Sequence, residues 1–115
     1  MESQEAVVAL EALAQDSRLG IFRLLVEAGR EGLPAGRIAE RMRLPGPTLS
    51  FHLAQLKRAG LISCRREGTS LIYSAEFDAM NSLVGFMTEN CCGGDAAQCM
   101  PVRKPVPSKR KRKVA

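Results

Sequence analysis

A chain of 115 residues has room for one domain of ordinary size, and 45% hydrophobic residues let it bury a core. Aromatics make up only 4% and Trp is absent, so that core must be Leu, Ile, Val, Ala and Met, which suits packed helices. The formal charge is +5, but Lys109, Arg110, Lys111, Arg112 and Lys113 account for all of it, which excludes binding of a polyanion by bulk charge on the folded part. There is no run of 18 apolar residues and no apolar signal segment at the start, so a membrane span is excluded and a cytoplasmic location is expected.

In chain order, Glu5 to Ala14 has apolar residues at helical spacing. Asp16 or Ser17 is a fitting N-cap for a second helix, Arg18 to Ala28, with Leu19, Ile21, Phe22, Leu24, Leu25 and Val26 on a broad buried face. Gly29 can stop it. A short third helix turns Ile38, Ala39 and Met42 inward, and Leu44-Pro45-Gly46-Pro47 must turn, with Pro47 suited to a first helical position. The fourth helix runs from about Pro47 to Ala59, with Leu49, Leu53 and Leu56 as its apolar stripe and Gly60 as its end. Leu61 to Arg66 and Ser70 to Ser74 read as strands joined by Glu67-Gly68-Thr69. Ala75 to Asn90 reads as a last helix with Phe77, Met80, Leu83, Val84 and Met87 inward. Residues 1–92 then form one domain, and 93–115 a tail without fixed structure that carries Cys99 and the basic run.

The fold class expected is therefore mainly α with one β-hairpin, in the order α-α-α-α-β-β-α. Two helices joined by a short turn, the second followed at once by a hairpin, make a winged helix-turn-helix. Its second helix fits the DNA major groove and its hairpin reaches the neighbouring minor groove or backbone. Thr48, Ser50, His52 and Gln55 can hydrogen-bond phosphates or base edges, and Lys57 with Arg58 can pair with phosphate. Arg65 and Arg66 flank the hairpin turn, where minor-groove or phosphate contacts are natural. Phe51 admits two readings, contact with a thymine methyl or half-buried packing, and His52 admits a structural hydrogen-bonding role as well. The basic run from Lys109 to Lys113 is either a DNA-tethering arm or a solvated tail. No nucleophile, base and orienting group occur together, so no enzyme is expected.

Specific motifs carry a family resemblance. Leu13-Ala14-Gln15-Asp16-Ser17-Arg18-Leu19-Gly20-Ile21 resembles a second-helix entry of the form LA-x-D-x-RL-x-I. Pro47 to Leu53, followed by Leu56 to Ile62, resembles a recognition segment S-x-HL-x-x-L-x-x-AGL. Arg65-Arg66-Glu67-Gly68 with Ile72-Tyr73 resembles the wing. Over about Glu5 to Cys92 the chain resembles the ArsR/SmtB family of metalloregulatory repressors. The resemblance implies a homodimer, joined through its first and last helices, that occupies double-stranded operator DNA until a ligand binds.

Cys91, Cys92 and Cys99 lie close in sequence around Gly93 and Gly94, and Cys64 sits apart in a wing strand as a small packing residue. Three soft thiolates with no nearby His favour a three-coordinate ion such as arsenite or antimonite, whereas zinc takes four ligands. The resemblance adds a subtraction. Many arsenic repressors carry Cys-x-Cys before the reading helix, but Leu33 to Arg37 contains no Cys; the zinc-type site on the last helix needs His, and Ala75 to Asn90 has none. What remains resembles arsenite repressors with a C-terminal Cys-Cys pair and third Cys. The expectation is a repressor of an arsenic-resistance operon, released by arsenite or antimonite at these three thiols. The alternative is a repressor that responds to thiol oxidation or persulfide.

Overall fold

The computed structural model describes residues 1–99. Helices α1 (Ser3–Leu13) and α2 (Asp16–Ala28) are followed by a single 3-10 turn, Gly29–Glu31. The two-residue strand β1 (Leu33–Pro34) then leads into α3 (Ala35–Met42) and α4 (Gly46–Arg58). Strands β2 (Ile62–Glu67) and β3 (Ser70–Ala75) form the hairpin, and α5 (Phe77–Met87) and the short α6 (Ala96–Cys99) complete the described residues. The expected α-α-α-α-β-β-α order is thus present, with β1 added. No helix of the described residues is long and apolar enough to cross a membrane.

The core sits where α1, α2, α3, α4 and the hairpin meet. Ile21 and Leu25 of α2, Ile38 of α3 and Leu56 of α4 are fully enclosed, joined by Leu61 at the entry to β2. Each is a Leu or Ile, as a chain poor in aromatics requires. The sheet is antiparallel in the order β1-β3-β2. Ile62 faces Ala75 and Glu67 faces Ser70 across the hairpin, leaving Gly68 and Thr69 as a two-residue loop with positive φ at Gly68. That geometry matches the twist of the flanking strands. Glu67 therefore belongs to the strand and not to the turn.

Several local expectations change. The cap of α2 is Gln15, whose side chain accepts from the Arg18 amide at 2.8 Å, in place of Asp16 or Ser17. Leu19 of α2 and Val84 and Met87 of α5 are exposed, at 44%, 55% and 63%, although the helical pattern turned them inward. The last helix starts at Phe77 because Ala75 pairs with Ile62, and it ends at Met87, before the cysteines. Residues 95–99, read as the beginning of a structureless tail, instead carry α6, with the Asp95 carboxylate accepting from the Ala97 amide at 3.0 Å. The basic run from Lys109 to Lys113 lies outside the described residues.

Candidate nucleic-acid interface and cysteine turn

Both ends of α4 are set by local chemistry. Pro45 is the extended N-cap and Pro47 stands at the first helical positions, where a missing N–H costs nothing. At the other end the Gly60 amide donates to the Lys57 carbonyl and the Leu61 amide to the Leu56 carbonyl, a Schellman closure with Gly60 at φ +78°. The same motif closes α3, with the Arg43 amide on the Glu40 carbonyl and the Leu44 amide on the Ala39 carbonyl. Here the left-handed position holds Arg43, at φ 57°, where a non-glycine residue costs about 1 kcal/mol. Its exposed side chain puts a cation in the turn between the two helices.

Leu49, His52, Leu53 and Leu56 form the buried stripe of α4, at the i, i+3, i+4, i+7 spacing of one helix face. The opposite face presents Ser50, Phe51 and Arg58 to solvent, with Thr48 and Lys57 exposed on its two flanks and Gln55 half-buried. Exposed Ala54 lies on this face between Phe51 and Arg58. The pattern gave Ala54 no role, yet a small side chain there allows close approach of a groove. From Leu44 to Arg66 the sequence has no acidic residue while Lys57, Arg58, Arg65 and Arg66 are all basic, so the segment holding α4 and β2 is positive within a nearly neutral domain.

Phe51 is 57% exposed, which removes the half-buried packing alternative for this chain on its own. His52 stands apart from the other candidate contacts. It is 8% exposed and its Nδ1 lies 3.3 Å from the Arg18 Nη1, so the structure turns it inward, away from a groove-facing position. Burial, followed by the charge of Arg18, holds its pKa below the usual 6.5.

In the wing, Arg65 and Arg66 are neighbours on β2 and so point to opposite faces; they do not flank the turn. Arg65 is tied down, with Nε 2.8 Å from the Glu67 carboxylate and Nη2 donating to the Glu31 carbonyl at 2.9 Å. Arg66 is exposed on the other face. Arg66→Ala should therefore weaken DNA binding evenly across sequences and, by removing one phosphate partner from each bound protomer, lower the slope of log K against log salt by about 0.9 per protomer. Anisotropy titrations on two unrelated duplexes at several salt concentrations check both. Cys64 is half-buried opposite Tyr73, where burial and then the Cys64 hydrogen bond push the Tyr73 hydroxyl above its ordinary range.

Beyond α5 the Thr88 hydroxyl donates to the Val84 carbonyl at 2.8 Å, and the Cys91 amide to the Thr88 carbonyl at 2.9 Å. Asn90 and Cys92 are left-handed, at φ 57° and 56°, and Gly93 and Gly94 follow with positive φ. Vicinal side chains on a helix would diverge, but this irregular turn leaves the exposed Cys91 and Cys92 with Sγ atoms 3.6 Å apart. α6 follows the turn directly and ends at Cys99, whose side chain lies outside the described residues. Among the described residues, no three His, Cys, Asp or Glu side chains converge on one point.

Residues 13–65, from the end of α1 to the wing, match a helix-turn-helix domain family. The transcriptional activator HlyU of Vibrio cholerae is 31% identical over 90 residues, covering 78% of this chain and 81% of that protein. The crystal structure of NolR from Sinorhizobium fredii is similar with a TM-score of 0.61 and 31% identity, covering 76% of this chain and 84% of NolR. The homodimeric winged helix-turn-helix DNA-binding domain Mb0332 of Mycobacterium bovis, a possible ArsR-family regulator, has the same fold at a TM-score of 0.62 and 24% identity, over 90% of this chain and 87% of its own. With a buried-stripe reading helix, a basic wing and these relatives, the chain belongs to the ArsR/SmtB family of winged helix-turn-helix transcriptional regulators and is a DNA-binding protein, not an enzyme.

Proposed function

We propose that the chain is a homodimeric repressor of an arsenic-resistance operon, released from operator DNA when arsenite or antimonite binds Cys91, Cys92 and Cys99. The observation that carries the reading is the 3.6 Å separation of the Cys91 and Cys92 Sγ atoms just beyond α5. Two thiolates sharing one ion at about 2.3 Å each, with an angle near tetrahedral, stand about 3.5–3.8 Å apart. The pair is therefore spaced for one shared soft ion with little rearrangement. Cys99 follows one short helix later and is within reach in sequence to supply a third sulfur.

The dimer rests on apolar surface that one copy leaves uncovered. Val7, Val8 and Leu10 of α1 and Val84 and Met87 of α5 are exposed, and Val84 also lines a mainly apolar crevice of about 420 Å³ with Leu19, Phe22, Val26 and Leu83. A second copy buries such a face by two-fold symmetry, and reading helices then stand about one DNA turn, roughly 34 Å, apart. The cysteine turn continues directly from α5, so an ion that reshapes the turn acts on the interface and on the pose of both reading helices. Allosteric coupling of about 1–3 kcal/mol lowers DNA affinity roughly 5–150-fold.

The close thiols also suit a second reading, in which oxidation of the Cys91–Cys92 pair drives release. Reduced, anaerobic protein on a labelled operator duplex separates the two. Release by arsenite, reversed by a competing dithiol and not reproduced by brief hydrogen peroxide treatment, supports the metalloid reading. Release by peroxide with no response to arsenite supports the oxidative one.

A further inference from the structure

His52 is the one buried polar side chain among the described residues, and it lies in the middle of the reading helix. A guanidinium can only donate, so at the 3.3 Å contact with Arg18 Nη1 the His52 Nδ1 must accept, which places the ring proton on Nε2. The same guanidinium donates from Nε to the Ala12 carbonyl, at 2.7 Å, in the last turn of α1. A cation there also complements the negative end of the α1 dipole. The Arg18 amide is held by the cap of α2. One side chain thus joins the end of α1, the start of α2 and the centre of α4.

The connection continues outward. The Phe51 ring meets the His52 imidazole edge-on, with centroids 5.6 Å apart and planes at 63°, and Phe51 is the large apolar residue exposed on the face of α4 opposite the core. We propose that Arg18 and His52 are positioning residues for DNA binding: their contact fixes α4 and the Phe51 ring against the end of α1, and neither residue touches DNA. The proposal rests on α4 being the reading helix. It gives a physical route from the α1 dimer face to the groove-facing surface. A crevice of about 270 Å³ between α1, α2 and α4 lies alongside and gives the guanidinium room to swing away when the contact breaks. The other charged groups lining that crevice are Glu11 of α1 and Arg58 of α4.

Protonating Nδ1 removes the acceptor and sets two cations face to face, so acid should break the contact. His52 is the single histidine of the chain, and its imidazole resonances are therefore unambiguous. The test uses full-length protein and a fluorescent duplex that the protein selects from a randomised pool. The His52 midpoint is read by NMR and DNA affinity by anisotropy from pH 5 to 8 at constant ionic strength. Wild-type affinity should fall as pH drops through the His52 midpoint below 6.5. Arg18→Gln should raise that midpoint and lower affinity at least about tenfold at pH 7.5. His52→Asn, whose amide oxygen can take the place of Nδ1, should retain affinity within about threefold and lose the pH step. Neither variant should change the salt slope, because the set of phosphate partners stays the same. A slope reduced by about 0.9 per protomer in Arg18→Gln would make Arg18 a direct phosphate contact and overturn the proposal. So would a pH profile that ignores the His52 midpoint, or unaltered affinity in folded Arg18→Gln. Absence of any wild-type DNA binding at pH 7.5 would instead contradict the reading helix itself.

Discussion

Cys91→Ser and Cys92→Ser proteins should bind operator DNA as tightly as the wild type and should not release it when arsenite is added. Both side chains are exposed in the turn that follows α5, outside the core built by Ile21, Leu25, Ile38 and Leu56. Their replacement therefore removes no core packing, and the interface of α4 and the wing is untouched. A serine hydroxyl is a hard, neutral oxygen that cannot replace a thiolate for a soft ion. The expected change is in the response alone: the ratio of operator affinity without and with arsenite, roughly 5–150 in the wild type, should fall to about 1. Anisotropy titrations in the two conditions give this ratio. Loss of DNA binding in either variant without arsenite would mean that the cysteines are structural.

The second large effect concerns the wing's support. Gly29 and Gly32 bracket the 3-10 turn with φ +76°, ψ −163° and φ +71°, ψ −166°, a region essentially confined to glycine. A Cβ on Gly29 meets open space, but one on Gly32 would overlap the Tyr73 carbonyl of β3. That carbonyl cannot swing away without disturbing the pairing of Leu33 with Tyr73, two residues after Glu31, whose carbonyl holds Arg65. Gly29→Ala should cost only the backbone strain, about 1–2 kcal/mol. Gly32→Ala should cost about 3 kcal/mol or more, a Tm lower by roughly 12–24 °C at fixed protein concentration, and should loosen the wing. Thermal unfolding of both variants separates strain from overlap; equal Tm values would show that β3 yields easily.

Long periodic segments were legible in the sequence, because burial of a stripe and the end residues of a helix are both local facts. For α4, Pro47, the Leu49-Leu53-Leu56 stripe and Gly60 gave bounds within one residue of those found. The two-residue β1 was not legible: Leu33 and Pro34 have no period, and they become a strand only by pairing with β3. The end of α5 was hidden because the apolar spacing runs on through Met87, while Thr88 and the left-handed Asn90 stop the helix. The same spacing cannot tell a face buried in one chain from a face buried between two, hence the exposed Val84 and Met87.

For the site, residue type made His52 a candidate DNA contact with a structural hydrogen-bonding role as the alternative, and its burial beside Arg18 favours the alternative. Its position was the better signal, since it falls at i+3 from Leu49 within the apolar stripe. Its partner could not be read, because Arg18 lies 34 residues earlier and meets it only in the fold. The split between Arg65, held to the domain, and Arg66, exposed, likewise depends on a carbonyl of a distant turn. Residue type and spacing put Cys91 and Cys92 together as ligands of one ion; what could not be read is the left-handed Cys92 backbone in the turn that leaves their sulfurs 3.6 Å apart.

The central claim is that sulfur atoms beyond α5 decide when the reading helix holds DNA. The most direct measurement follows thiol protection and operator release in one anaerobic arsenite titration of wild-type protein bound to labelled DNA. The two curves should superimpose, with three thiols protected for each ion bound and Cys64 still reactive on denaturation. Release of DNA without protection of Cys91 and Cys92, or protection of both with the operator still held, would contradict it.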